Sequence, residues 1–367
     1  MGVQYMVSSQ ILQNTVDGLK AIARVDLCVM DAEGNVVATT SPGLDNCKTA
    51  AVSFAGSAAD SQYIQGFQYF KVFDEQTLEY ILIAAGEGED VYLAGKMAAF
   101  QLQGLLVAYK ERFDKDNFIK NLLLDNLLLV DIYSRAKKLH VRTDARRVVI
   151  IVETMADKDS NTLEILRMQT GAGSLDFVTA VDENNVIIVK DVTDADTPRD
   201  IDRITRNIVT YLEGEGQKNV RLAYGTTVGE IKEVSRSYKE AKMAMDVGKI
   251  FFDERNVIAY SELGIGRLIY QLPIPLCRMF IREIFDGHSP DELDEETIMT
   301  INKFFENSLN VSETSRQLFI HRNTLVYRLD KLQKSTNLDI RIFEDAITFK
   351  IALMVVKYMN YMERFDF

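Results

Sequence analysis

The sequence predicts an α/β multidomain chain that closes in an all-α domain. Three observations carry this. The first 110 residues twice pair apolar runs across short polar turns. Strand-like and helix-like segments alternate between Arg147 and Val247. Beyond Pro273 and Pro275 the apolar residues fall at helical spacing alone. A chain of 367 residues, 47% hydrophobic, is long enough for two or three cores.

The front segment, 1–112, starts with a helical pattern over Ile11–Ala23. In "VDLCVMDAEGNVVATT" apolar Leu27–Met30 meets a polar turn at Asp31–Asn35 and a second strand from Val36, which is a hairpin signal. A helix is expected near Thr49–Ala59, strands over Gly66–Val72 and Leu78–Ala85 about "FDEQT", and a closing helix over Val91–Lys110. Helix, hairpin, helix, hairpin, helix resembles the order of PAS or GAF sensory modules, so 1–112 is read as a ligand-binding sensory domain. Its first 110 residues hold six Lys or Arg against twelve Asp or Glu, which argues against a DNA surface there. The small-residue runs "AVSFAGSAA" and "LAGKMAAFQLQGLLVA" suit close helix approach across a dimer interface or within one chain.

Residues 113–138 read as a helical connector. The middle domain, 139–262, takes the order βαββαβα: strand Arg147–Glu153, helix Ser160–Gln169, a hairpin turning at Asp182–Asn185, helix Arg199–Glu213, strand "VRLAYG" and helix Val228–Val247. The pattern loosens at "SELGIGRLIYQLP", and Pro273 and Pro275 mark a boundary. Helices are expected over Pro275–Phe285, Asp294–Asn307, Ser312–Phe319, Arg322–Ser335 and Phe343–Tyr358, with the acidic linker "DGHSPDELDEE" between the first two.

The formal charge is −12, from 42 Lys or Arg and 54 Asp or Glu, which leaves room only for a local basic module. Cys28, Cys47 and Cys277 are widely spaced with no CxxC, so a reduced, cytoplasmic setting is expected. No signal peptide is read at the N-terminus, and the apolar runs Leu122–Val130 and Ile351–Val356 are too short and interrupted to span a bilayer. His140, His288 and His321 stand in unrelated contexts without HExxH, and "GIGRLI" lacks a third glycine and a phosphate-loop lysine. Asp176 and Asp182 are acids that could hold a metal or serve as solvated carboxylates. No metal and no cofactor is expected, and no catalytic residue.

The C-terminal stretch "SETSRQLFIHRNTLVYRLDKLQ" carries the functional signal. Asn310 and Glu313 have capping-box spacing, Ser315 is small where two short helices meet, and His321 stands at the next N-cap. Leu325, Leu329 and Leu332 form a buried stripe, leaving Arg322, Asn323, Thr324, Tyr327, Arg328 and Lys331 mostly off it. Arg reads guanine, Asn reads adenine, and Thr, Tyr and first-turn amides reach phosphates. Val311–Arg341 holds six Lys or Arg against three Asp or Glu. The competing interpretation is a capped helical hairpin with a solvated charged face, used for protein contacts.

The wording of this segment closely resembles the helix-turn-helix of the PucR/CdaR family of bacterial transcriptional regulators. It is carried by Thr314-Ser315, Leu318, His321-Arg322-Asn323-Thr324, Tyr327-Arg328 and the stretch Asp345–Leu353; Ser315 replaces the more usual Ala. The resemblance implies a helical DNA-binding domain over 274–367, with its helix-turn-helix at 311–335. It implies Arg322 and Asn323 at bases, Arg328 at phosphate, and His321, Thr324, Tyr327 and Lys331 beside them.

Gly225, Ser237-Tyr238 and Glu240-Ala241 resemble that family's middle domain, a divergent relative of the GGDEF nucleotide-cyclase fold. A cyclase needs a Gly-Gly-Asp/Glu-Glu-Phe turn, and no Gly-Gly pair occurs, so the domain is read as degenerate and noncatalytic. "ILQNTVDGLKAIARVDLCVMDAEGNVVATT" loosely resembles a sugar-diacid recognition domain, but "GLDNCKTAAVSFAG" lacks the histidine expected after the hairpin. Lys48, at a helix start, and Arg24 are the anion-contact candidates for a small-molecule effector. The expectation is a ligand-responsive regulator of a metabolic operon that binds a double-stranded DNA operator as a homodimer or higher homo-oligomer, with no membrane role. The alternatives are a signalling scaffold and a nucleotide cyclase-like enzyme.

Overall fold

The computed structural model describes residues 7–74, 76–86, 88–154, 161–170, 174–182, 184–285 and 294–363. The chain divides into two compact units, Met1–Phe118 with Lys138–His140, and Ile119–Lys137 with Val141–Phe367.

The first unit is built on α1 (Ser9–Ala23), β1 (Leu27–Asp31), β2 (Val36–Thr39), a 3-10 turn at Pro42–Cys47, α2 (Lys48–Ala55), β3 (Ser61–Ile64), β4 (Phe67–Asp74), β5 (Thr77–Ala85) and α3 (Glu89–Leu123). The strands form one antiparallel sheet in the order β2-β1-β5-β4-β3. The near-continuous apolar runs in β1 and β5 follow from burial on both faces. Leu27, Val29, Leu82 and Ala84 point to the face covered by α1 and α3, while Cys28, Met30, Ile81 and Ile83 point to the face covered by α2. Gly95 lets α3 lie directly on Phe70, whose ring would collide with any side chain there.

The second unit continues with α4 (Leu129–Lys138), β6 (Arg147–Glu153), α5 (Thr162–Thr170), β7 (Phe177–Ala180), β8 (Asn185–Asp191), α6 (Pro198–Gly214), β9 (Arg221–Tyr224), α7 (Val234–Phe251) and β10 (Val257–Ala259). The sheet order is β10-β9-β6-β8-β7, with only the β9–β10 pair parallel. Val148, Ile150 and Val152 pack with α5 and α6 on one face. Helix α7 crosses β6 and β9. Asp176 accepts from Lys190 Nζ (2.7 Å) and the Asp191 amide (2.9 Å), and Asp182 caps the turn before β8 through the Asn184 and Asn185 amides. Both carboxylates that sequence raised as metal candidates thus brace this hairpin.

The elements α8 (Gly266–Ile269), α9 (Ile274–Phe285), α10 (Glu295–Glu306), α11 (Val311–Gln317), α12 (Arg322–Thr336) and α13 (Phe343–Glu363) follow. Pro275 falls in the first turn of α9, where no amide donor is needed. His288 and the first part of the acidic linker, 286–293, lie outside the described residues, while its end is not linker but the N-cap Asp294 and first-turn Glu295 and Glu296 of α10. Ile250 of α7 and Ile269 of α8 belong to the same apolar core as Cys277, Phe304, Leu329, Phe349 and Val355. The Tyr270 hydroxyl donates to Asp246 at 2.9 Å, and burial pushes that phenol's pKa well above its ordinary range. The helical domain is therefore fused to the α/β domain through a shared interior. All three cysteines are buried and none is in a disulfide.

Candidate nucleic-acid interface

The helix-turn-helix assembles from local chemistry. Asn310 Oδ1 accepts the Glu313 amide at 3.1 Å and starts α11. The reciprocal half of the expected capping box does not form: the Glu313 carboxylate instead accepts from Arg316 (2.8 Å) and Gln317 (2.8 Å). Those bonds, the one to Arg316 first, hold its pKa below the usual carboxylate range. Thr314 and Ser315 are buried where α11 meets α12, and the Ile320 amide closes the turn onto the Ser315 carbonyl at 3.0 Å. Phe319 sits in this turn at φ 56°, a left-handed conformation costly for a side chain, and its ring is 95% exposed.

His321 is the N-cap of α12. Its Nδ1 accepts the Asn323 amide at 3.2 Å, which leaves Nε2 as the ring's outward donor. Leu325, Leu329 and Leu332 are buried as the spacing predicts, joined by Thr336. At about 100° per residue, Asn323, Tyr327 and Lys334 stand opposite that stripe, with Thr324 and Lys331 beside them. All five are exposed, as are His321 and Arg322. Among the described residues Arg322, Lys331 and Lys334 form no ion pair. Sequence reasoning missed Lys334, although its place two turns after Tyr327 was legible from helical period alone.

Arg328 behaves differently. It is half-buried, pairs with Glu296 of α10, and donates to Thr300 Oγ1 at 3.1 Å. The residue expected at phosphate is thus held within the protein, bridging α10 to α12. Asp330 is neutralised by Arg341 at 2.8 Å, and Arg341 also grips Asp339 at 2.7 Å, holding that carboxyl below its ordinary pKa. Acids around α12 are matched internally while cations on its outer face are left unmatched.

Residues 297–355 match the family model described as the PucR C-terminal helix-turn-helix domain, and 126–247 match the GGDEF-like domain. The chain thus carries, in its C-terminal and middle domains, the two domains of PucR/CdaR-type regulators. Its helix-turn-helix makes it a DNA-binding transcriptional regulator. It is similar to the carbohydrate diacid regulator of Escherichia coli (strain K12), 24% identical over 297 residues, or 73% of this chain and 72% of that one. It is also similar to the purine catabolism regulatory protein of Bacillus subtilis (strain 168), 19% identical over 152 residues, 41% of this chain but only 29% of that one. A solved regulator of polyketide synthase expression from Bifidobacterium adolescentis aligns with 68% of this chain and 98% of its own, at 15% identity and a TM-score of 0.33.

The family elements of the middle domain form a partly buried hydrogen-bonded lock. A side chain at Gly225 would overlap the Ser237 carbonyl, so this glycine lets β9 lie against α7. Ser237 Oγ accepts the Val149 amide at 3.0 Å and donates to the Thr226 carbonyl at 2.8 Å. Glu240 accepts the Thr226 amide at 2.7 Å and its hydroxyl at 2.5 Å.

In the first unit the two effector candidates stand apart. Arg24 caps the C-terminus of α1, on one face of the sheet. Lys48 opens α2 on the other face and donates to Asn35 Oδ1 at 3.0 Å.

Proposed function

We propose that this chain is a ligand-responsive regulator of a metabolic operon that binds a double-stranded operator as a homodimer in the cytoplasm. The observation that carries the DNA-contact assignment is the exposed, unpaired face of α12 on a chain of net charge −12. Phosphate attraction then acts where the local field is positive. Arg322 and Asn323, in the first turn, read base edges. Thr324, Tyr327, Lys331 and the added Lys334 lie along the groove, and His321 Nε2 reaches the backbone. Arg328 is a positioning residue that sets α12 against α10.

The front unit is the effector module, and the family precedent for a small polar effector comes from the relatives' names alone. We read the GGDEF-like domain as a noncatalytic transmitter. What supports this is that Gly225, Ser237 and Glu240 serve its internal lock and that its hairpin turn lacks a Gly-Gly pair.

Genome-fragment selection with the purified full chain tests the assignment. Wild type is expected to enrich specific fragments, with affinity falling steeply as salt rises. Arg322→Ala with Asn323→Ala should abolish enrichment while the fold is retained. Equal enrichment by the folded double variant would overturn the assignment.

A further inference from the structure

Helix α3 is apolar on two opposite faces, and only one is covered. Ala98, Leu102 and Leu106 pack on the sheet of the first unit. About 170° away, at 100° per residue, run Leu93, Met97, Phe100, Gly104 and Val107. Their spacing alternates four and three residues, the period of a helix-on-helix seam. Phe100 is 80% exposed, Met97 70%, Val107 54% and Leu93 50%. Nothing lies within 4 Å of where a side chain at Gly104 would begin. The stripe is bounded by charge: Glu89 and Asp90 precede it, and Glu111, paired with Lys115 at 2.7 Å, takes the next heptad position.

We infer that this stripe is the seam by which two copies of the chain associate, α3 against α3. The inference rests on the homodimer reading above and assigns its surface. Three features select a second copy as the occupant. The stripe spans 15 residues, about 21 Å at 1.5 Å per residue, which matches a facing helix. The residues fit each other: with Phe100 against Phe100 in an antiparallel pair, Leu93 meets Val107 and Met97 lies over Gly104, large on small. The four large side chains expose roughly 450 Å² per copy. With the stems of flanking residues this approaches the low end of specific interfaces, about 600 Å² per partner.

By length and composition Glu89–Leu123 is also apolar enough to cross a bilayer, with 22% of its most apolar window buried. Its opposite face, however, is packed on the sheet, and Lys96, Gln101 and Gln103 flank the stripe closely. A narrow stripe between polar flanks fits a helix rather than lipid.

The test uses the full chain without DNA. Light scattering after size exclusion should give a dimer for wild type and a monomer for Phe100→Glu and for Met97→Glu, with circular dichroism unchanged. These residues are exposed, so folding is not at stake. Independently, Phe100→Cys should crosslink between copies under mild oxidation, because the native cysteines are buried. A folded Phe100→Glu that stays dimeric, a dimer whose Phe100→Cys does not crosslink, or a monomeric wild type that floats with anionic vesicles would each overturn the inference. Fragment selection by the Arg322 and Asn323 variants reads DNA contact separately, so failure of the seam leaves that assignment standing, and the reverse.

Discussion

Ser237→Ala removes one oxygen and takes the partner from a buried amide and from a half-buried carbonyl. The Val149 amide, 3.0 Å from that oxygen, is in a residue with no solvent exposure, and the Thr226 carbonyl is 2.8 Å from it. Ser237 is itself fully buried, and Gly225 seals the site from the strand side. An orphaned buried donor costs about 1–3 kcal/mol, so we expect a loss of ~2 kcal/mol in the second unit. For a body of this size that corresponds to a fall in Tm of roughly 4–8 °C. Differential scanning calorimetry reads it, with Lys242→Ala on the exposed face of α7 as a control expected within about 0.5 kcal/mol of wild type. DNA binding well below the transition should be unaffected. A Tm within about 1 °C of wild type, or lost DNA binding at unchanged Tm, would refute the claim that this serine is structural.

Three further outcomes are expected. Lys331→Ala should weaken operator affinity evenly across sequences and reduce the slope of log affinity against log salt by about 1, measured by fluorescence anisotropy. Asn310→Ala should cost about 1 kcal/mol in urea unfolding through loss of the cap on Glu313, with DNA affinity falling as the turn loosens. The Asp339 carboxyl is held below its ordinary pKa by the Arg341 hydrogen bond, so its contribution is complete above about pH 4 and is lost as pH falls through the lowered value. Asp339→Asn should therefore destabilise at neutral pH and flatten the acid limb of the stability profile.

The helix-turn-helix was legible because its signals are local. The leucine stripe, the Asn310 cap and the His321 cap each depend on residues within one or two turns. The hairpins were legible for the same reason, since apolar runs flank short turns. What escaped depends on distance. Edge strand β3 (Ser61–Ile64) exposes Gln62 and Tyr63, so it shows no inward pattern, and β10 spans only Val257–Ala259. Helix α3 runs to Leu123 through polar Asp114–Asn117, where sequence suggested a break into connecting helices. The ion pair of Arg328 joins residues 32 positions apart, and nothing around Arg328 itself announces it. That α1, which ends at Arg24, and α2, which starts at Lys48, cover opposite faces of the sheet was not legible either, because it depends on how distant strands order.

The shared interior between α7 and the terminal helices has a mechanical consequence. A reading head on a flexible tether searches orientations independently and loses that freedom each time it docks. Here Ile250, Ile269 and Phe349 lie in one core and Tyr270 is anchored to Asp246, so the orientation of α12 relative to the GGDEF-like sheet is settled at folding. A displacement of α7 therefore shifts α12 with it, since Ile250 of α7 and Leu329 of α12 lie in that one core.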